Sequence, residues 1–196
     1  LLNIYNECVK AGSPDLPIIF TSTSKITFPG AGVAVEAASP NNVALLKGRM
    51  KYQTIGPDKL NQLRHARMFR TVSDIERHMK RHAAILRPKF ETVEKELQKQ
   101  LGDTGVAHWT TPKGGYFISL YVLEGCAKRV EQLCANAGMI LTPAGATYPY
   151  GIDPKDSNIR IAPSYPSVEE IEKASEVLAL AVRYAALEKL LSDKEN

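Results

Sequence analysis

A long amphipathic segment in the middle of the chain constrains the fold more than any other sequence feature. Ser73 and Glu76 form a capping box that predicts where its helix begins, and Pro88 is expected to kink it. Its apolar residues recur at spacings of three, four or seven, as on one stripe of a helix: Ile75, Met79, Leu86, Phe90, Val93, Leu97 and Leu101. We interpret the segment as a connecting helix, with one domain in 1–70 and a second in 71–196 that begins with this helix.

Strand and helix patterns alternate on both sides of this segment. Before it, β-branched apolar runs predict buried strands at 18–21 and 33–38, and helices are expected at 2–11, 42–50 and up to about residue 69. After it, the expected elements are strands at 116–122, 139–142 and 158–162, and helices at 127–137 and from a capping box of Ser167 and Glu170 to about residue 191. This alternation predicts an α/β fold.

Charge and cysteine content narrow the function classes. The net charge of +4 is mild for 196 residues, so this segment gives no reason to expect a direct nucleic-acid partner. Cys8, Cys126 and Cys134 are odd in number and lack a CxxC spacing, which argues against a disulfide framework and favours a reducing cytoplasm. No apolar run has the length of a membrane span. The chain starts at Leu1 without an initiator Met, so we expect it to be the rear part of a longer protein.

One lysine stands out because of its neighbours. Lys25 follows the apolar run 18–20, lies among hydroxyl side chains such as Ser22 and Ser24, and precedes a turn-forming Pro29-Gly30 pair. A partly desolvated lysine in such a place is a nucleophilic amine, and the hydroxyls are suited to holding a phosphate. An enzyme that uses pyridoxal 5'-phosphate (PLP) needs this combination. Most lysines are solvated surface residues, however, so the motif needs support from the rest of the chain.

That support comes from three motifs in order. Ser22-x-Ser24-Lys25 comes first, residues 112–117 (Pro-Lys-Gly-Gly-Tyr-Phe) open a strand after the long helix, and residues 158–164 (Asn-Ile-Arg-Ile-Ala-Pro-Ser) precede the last helix. This order resembles the C-terminal half of a fold-type I PLP-dependent aminotransferase of class I/II. The sequence of residues 22–28 (Ser-Thr-Ser-Lys-Ile-Thr-Phe) most resembles the MocR-like aminotransferase branch. The resemblance implies the end of a PLP-transferase large domain in 1–70 and a connecting helix with the small C-terminal α/β domain in 71–196.

The resemblance also implies roles for individual residues. Lys25 matches the catalytic lysine that forms a Schiff base with PLP and shuttles a proton. Ser22 matches a hydroxyl that binds the cofactor phosphate, with Ser24 as an assisting candidate. Arg160 matches the arginine that clamps the substrate carboxylate, a task that suits the planar guanidinium. Many relatives carry a phosphate-binding arginine seven or eight residues after the lysine, whereas this chain has Gly32 and Val33 there.

The resulting hypothesis is a cytoplasmic homodimeric aminotransferase that moves an amino group from an amino acid to a 2-oxo acid. Aspartate and glutamate are the candidate amino-group donors. Two alternatives stay open, namely the PLP-binding effector domain of a MocR-type transcriptional regulator and a catalytically incomplete domain. The cofactor groups that precede the lysine in this family would lie before Leu1. By analogy, Tyr52, Thr54 or Lys59 could reach the partner subunit's site. A metal site is not expected, although His78 and His82 stand four apart, because no third ligand is evident.

Overall fold

The computed structural model describes residues 2–195, and the chain divides into two compact units, Leu1–His82 and Ala83–Asn196. The first unit contains three short helices and a two-stranded sheet, in the order α1 (Ile4–Lys10), β1 (Ile19–Ser22), β2 (Ala34–Ala37), α2 (Pro40–Met50) and α3 (Lys59–Met68). Each helix begins at a side-chain cap. Asn3, Ser39 and Asp58 accept hydrogen bonds from backbone N–H groups of the first turns of α1, α2 and α3.

The two strands of the first unit form an antiparallel ribbon that runs from the pair Ile19 and Ala37 to the pair Ser22 and Ala34. Strand formation agrees with the sequence prediction, but the prediction that these strands are buried is wrong. Phe20 is 72% exposed and Val35 is 56% exposed. The ribbon is two-stranded among residues 2–195, and neither of these apolar side chains is covered.

The long helix α4 (Val72–Leu101) is continuous and contains Pro88 in its interior. Its capping box lies two residues earlier than predicted. The Thr71 amide donates to Asp74 Oδ2 at 3.0 Å and the Asp74 amide donates to Thr71 Oγ1 at 3.3 Å. The same hydroxyl-x-x-acid pattern occurs in both registers, and local sequence does not choose between them. The division between the two units falls inside α4, and the boundary expected at residue 70 stays a prediction.

The second unit holds a three-stranded antiparallel sheet in the order β3 (Ala107–Trp109), β4 (Ile118–Val122), β5 (Asn158–Ile161). Strand β3 was not predicted because it is only three residues long, too short for a periodic signal. The strand predicted at 139–142 is not formed. Met139 and Leu141 in that segment pack against the core, but the segment pairs with no strand of the described chain. An apolar run alone therefore does not distinguish a strand from irregular chain lying over a core.

Helices α5 (Ala127–Asn136) and α6 (Val168–Glu195) complete the second unit. The predicted capping box of α6 is confirmed, since the Ser167 amide donates to Glu170 Oε2 at 2.7 Å and the Glu170 amide to Ser167 Oγ at 3.2 Å. One core joins these helices to the sheet and to the C-terminal half of α4; its fully buried members include Leu97, Leu101, Ile118, Leu120, Val130, Cys134 and Ala179. None of the helices in the described residues is both long and apolar enough to cross a membrane.

Candidate functional site

Lys25 lies on a hydrogen-bonded turn directly after β1. The amides of Ile26 and Thr27 donate to the Thr23 carbonyl at 2.8 and 2.9 Å, which closes the turn around the lysine. Thr23 also ties the turn to Val33, the residue before β2, because the Thr23 amide donates to the Val33 carbonyl at 2.9 Å. The backbone position of Lys25 is therefore fixed, while its side chain is exposed. Residues 2–195 themselves do not supply the desolvation that the sequence motif suggested.

Ser22 and Ser24 place two hydroxyl groups next to this lysine in sequence. Their Oγ atoms are 2.6 Å apart, and the Ser24 amide donates to Ser22 Oγ at 3.1 Å. Both side chains are exposed. The hydroxyl that accepts in this pair keeps its own proton to donate, so the pair can offer a hydrogen bond to a phosphate oxygen.

Gly32 is packed against the same turn. A Cβ atom at this position would lie 2.4 Å from Ser24 Oγ, 2.8 Å from Ser24 Cα and 2.9 Å from the Ser24 amide nitrogen. The two backbone atoms cannot move aside without moving the turn itself, so the close approach requires glycine here. This contact gives a physical reason why residue 32 is not the arginine that the family resemblance led us to look for.

Arg160 belongs to the second unit and lies on β5, opposite Ser119 of β4. Its guanidinium carbon lies 4.6 Å from the centre of the Phe117 ring, a cation–π contact. Its Nε is buried and has no hydrogen-bond partner among the described residues. A buried guanidinium N–H without an acceptor is costly, and a carboxylate ligand would satisfy it.

A polar chain around the buried Asn158 lies next to Arg160 and was not predicted from the sequence. Thr147 Oγ1 donates to Asn158 Oδ1 at 2.7 Å, and Asn158 Nδ2 donates to Ser119 Oγ at 2.8 Å. The chain ties the loop of residues 143–148 to β5 and to the central strand β4. The one available signal was Asn158 at the start of β5, where a buried amide requires partners.

His78 of the histidine pair on α4 contacts the backbone of the first unit. His78 Nε2 lies 3.1 Å from the Thr27 carbonyl, and a carbonyl only accepts, so this ring nitrogen carries a proton. The described residues contain no group of three or more His, Cys, Asp or Glu side chains that could hold a metal ion. His78 instead contacts the turn that carries Lys25.

Comparisons with known proteins identify the family of the chain. The family model of aspartate amino-transferase matches residues 1–194. The chain belongs to this family. It is similar to an aspartate aminotransferase of Corynebacterium glutamicum, at 48% identity over 178 residues, which is 91% of this chain and 41% of the relative. The chain thus spans under half the length of the curated relatives it matches.

Solved structures of aminotransferases have the same fold as this chain. The crystal structure of an aspartate transaminase from C. glutamicum superposes with a TM-score of 0.92 at 46% identity, covering 96% of this chain and 44% of that one. The match falls in the C-terminal portion of the full-length enzymes. An α-aminoadipate aminotransferase from Thermus thermophilus, complexed with N-(5'-phosphopyridoxyl)-L-leucine, shares the fold with a TM-score of 0.75 at 20% identity, covering 95% of this chain and 46% of that one.

The residues of this family member fit the cofactor that the family implies. Lys25 lies on a fixed turn, and the adjoining hydroxyls of Ser22 and Ser24 are exposed, so an amine for a Schiff base and donors for a phosphate occur together on one turn. The predicted residues divide between the units: Lys25, Ser22 and Ser24 belong to the first, and Arg160 belongs to the second.

Proposed function

We propose that this chain is part of a PLP-dependent aminotransferase that moves an amino group between an amino acid and a 2-oxo acid. The observation that carries the proposal is the Lys25 turn, in which a lysine on a hydrogen-bonded backbone is preceded by the paired hydroxyls of Ser22 and Ser24. When bound, the cofactor supplies an electron sink that makes the Cα–H bond of the amino acid acidic.

In the proposed reaction Lys25 holds the cofactor and then moves the proton. Lys25 Nζ would hold the cofactor, and as a neutral amine it would take up the proton released from the substrate Cα and later give it back. Ser22 and Ser24 hold the cofactor phosphate through their hydroxyls. The fixed backbone of the turn limits the positions that Nζ can reach, and such orientation is a large part of catalysis in reactions of this kind.

Arg160 would bind the carboxylate of the substrate. Its Nε is buried without an acceptor in the described chain, and the guanidinium already lies over the Phe117 ring, so its plane is set before the ligand arrives. A carboxylate can accept two parallel hydrogen bonds from such a fork, which fixes the orientation of the substrate. An acidic donor, aspartate or glutamate, is our proposal for the substrate class, because the chain is similar to aspartate aminotransferases.

We also propose a homodimer that works in the cytoplasm. Cys8, Cys126 and Cys134 are all free thiols, in keeping with a reducing compartment. Tyr52 and Thr54, between α2 and α3, and Lys59 at the start of α3 are exposed, and we propose that this part of the chain reaches the partner subunit. Light scattering on the full-length protein tests the dimer. Unchanged kinetics in Lys59→Ala would remove that residue from the proposed contact.

The direct test is to incubate the full-length protein with PLP, reduce it with borohydride and locate the adduct by mass spectrometry. We expect one stoichiometric adduct on Lys25 that is absent from Lys25→Ala. With aspartate and a 2-oxo acid, Arg160→Lys should raise the KM for the donor at least about tenfold, as expected for loss of a charge-assisted hydrogen bond. Arg183→Lys, an exposed arginine on α6, is the matched control.

The possible outcomes separate the hypotheses. Adduct on Lys25 together with turnover supports the aminotransferase. Adduct on Lys25 without turnover of any amino acid would favour the effector domain of a regulator. Label scattered over surface lysines would contradict the proposed site.

A further inference from the structure

The turn that carries Lys25 is held from behind by a histidine of α3. His65 Nε2 lies 2.8 Å from Thr27 Oγ1 and 3.3 Å from Thr23 Oγ1, and these two hydroxyls are 3.1 Å apart. Thr23 and Thr27 are the residues at the two ends of the turn, and Thr27 is only 3% exposed. One imidazole nitrogen therefore contacts both ends of the turn that carries Lys25.

The other ring nitrogen fixes the direction of these hydrogen bonds. His65 Nδ1 lies 2.9 Å from the Asn61 carbonyl, which only accepts, so Nδ1 carries the proton. In the neutral ring Nε2 is then an acceptor, and Thr27 donates to it. Thr23 Oγ1 accepts from the Val33 amide at 2.9 Å and lies 3.1 Å from Thr27 Oγ1. Hydrogen bonds thus connect Val33, the residue before β2, through the two hydroxyls of the turn to His65 on α3.

Packing holds the His65 ring in this position. The Phe28 ring meets it edge-on with centroids 5.0 Å apart, and the Phe69 ring lies 6.1 Å away. The same helix contributes a second tie, because Asn61 Nδ2 donates to the Gly32 carbonyl at 3.2 Å. Helix α3 therefore contacts both the Lys25 turn and the segment that leads from this turn into β2.

We propose that His65 is a positioning residue for Lys25. It touches neither cofactor nor substrate in this proposal; it acts through Thr23 and Thr27, which determine where the Lys25 backbone lies. The inference rests on the proposed function of Lys25. Loss of the His65 contacts should allow the turn to shift, and a small displacement of a catalytic amine lowers the rate more than it lowers substrate affinity.

The test compares three variants of the full-length protein. His65→Phe keeps an aromatic ring for the contacts with Phe28 but removes both hydrogen-bonding nitrogens. His65→Gln restores a donor and acceptor near the position of Nε2. The matched control is His108→Phe, the same substitution at an exposed histidine that stacks on Tyr121 in the second unit.

Hydrogen exchange of the cofactor-free protein is the first readout, because it does not depend on activity. The amides of Ile26 and Thr27, which donate to the Thr23 carbonyl, should exchange at least about tenfold faster in His65→Phe, the effect of one or two net hydrogen bonds. They should stay within about threefold of wild type in His65→Gln and in the control. Unchanged exchange in His65→Phe overturns the proposal. An acceleration spread evenly over residues 2–82 also overturns it, because it would indicate a role in stability alone.

Kinetics of the cofactor-loaded protein is the second readout. In His65→Phe, kcat should fall about tenfold or more while KM stays within about threefold, and His65→Gln should recover most of kcat. A change confined to KM contradicts the positioning role. Absence of a Lys25 adduct in the wild-type protein would refute the proposed function, and the exchange data would still decide whether His65 holds the turn.

Discussion

Replacement of Gly32 by alanine is the sharpest test of the packing around Lys25. The added Cβ would lie 2.8 Å from Ser24 Cα and 2.9 Å from the Ser24 nitrogen, closer than such atoms approach in folded proteins. The Ser24 side chain, 2.4 Å away, could rotate, but the backbone contacts require the turn to move. Insertion of one methyl group into a packed site costs about 1–3 kcal/mol. We expect Gly32→Ala to lower the free energy of unfolding by about 2 kcal/mol.

Gly48 provides a control of opposite sign. It lies inside α2, and a Cβ added there would meet no atom within 4 Å. Alanine in an open helical position stabilises a protein by about 0.5–1 kcal/mol. The two Gly→Ala variants should therefore move the urea midpoint of the first unit in opposite directions. Unfolding can be followed by circular dichroism of the cofactor-free full-length protein, where the transition that moves in Gly48→Ala identifies the first unit.

The second readout for Gly32→Ala is the borohydride-trapped adduct. Because the displaced atoms belong to the turn of Lys25, we expect a lower adduct yield on this lysine at limiting PLP, with no change in Gly48→Ala. If Gly32→Ala unfolds at the same or a higher urea concentration than wild type, the close contact with Ser24 does not exist as described, and the explanation for the missing arginine at residue 32 fails with it.

Two further predictions concern titratable groups of the second unit. Although burial acts to raise the pKa of Asp153, the Ser157 and other backbone N–H groups that donate to it hold this pKa below its ordinary value. Its contribution is thus present above about pH 4 and lost as the pH falls further, so Asp153→Ala should cost about 1–2 kcal/mol at pH 7, and urea titrations should show this gap shrinking below pH 4. Burial raises the pKa of the Cys134 thiol to about 11 and also raises that of Cys126. Ellman's reagent at pH 8 should therefore modify the partly exposed Cys8 in the native protein, and the other two only after denaturation; rapid native labelling of Cys134 would contradict its burial.

Local patterns predicted the helices better than the strands. The apolar stripe from Ile75 to Leu101 repeats at helical spacing over many residues. The Ser167 capping box involves two residues only three positions apart. Both patterns are local and can be detected without tertiary information. Strand β3 is too short to repeat anything, and the apolar segment 139–142 has no strand to pair with among the described residues. The burial expected for β1 failed because an apolar run shows only that burial would be favourable, and it does not show what covers the strand.

The candidate site shows the same difference between local and distant information. The Ser22-x-Ser24-Lys25 pattern is contiguous, so residue chemistry alone pointed to it. The contact of His65 with Thr27 joins residues 38 positions apart, and that with Thr23 joins residues 42 apart. No spacing rule connects a histidine on one helix with hydroxyls on a distant turn. The sequence alone therefore does not identify His65 as a candidate site residue.

The family arginine that is missing after Lys25 can now be explained in part. Gly32 is packed against Ser24 so closely that any side chain would displace the turn. The amide of Val33 donates to Thr23 Oγ1, and its carbonyl accepts from the Thr23 amide. The segment that would carry a phosphate-binding arginine is thus used, through its backbone, to hold the lysine turn. We therefore expect Gly32→Arg to displace the Lys25 turn and not to supply a phosphate-binding arginine, because the backbone around residue 32 is held by Ser24 and by Asn61 of α3.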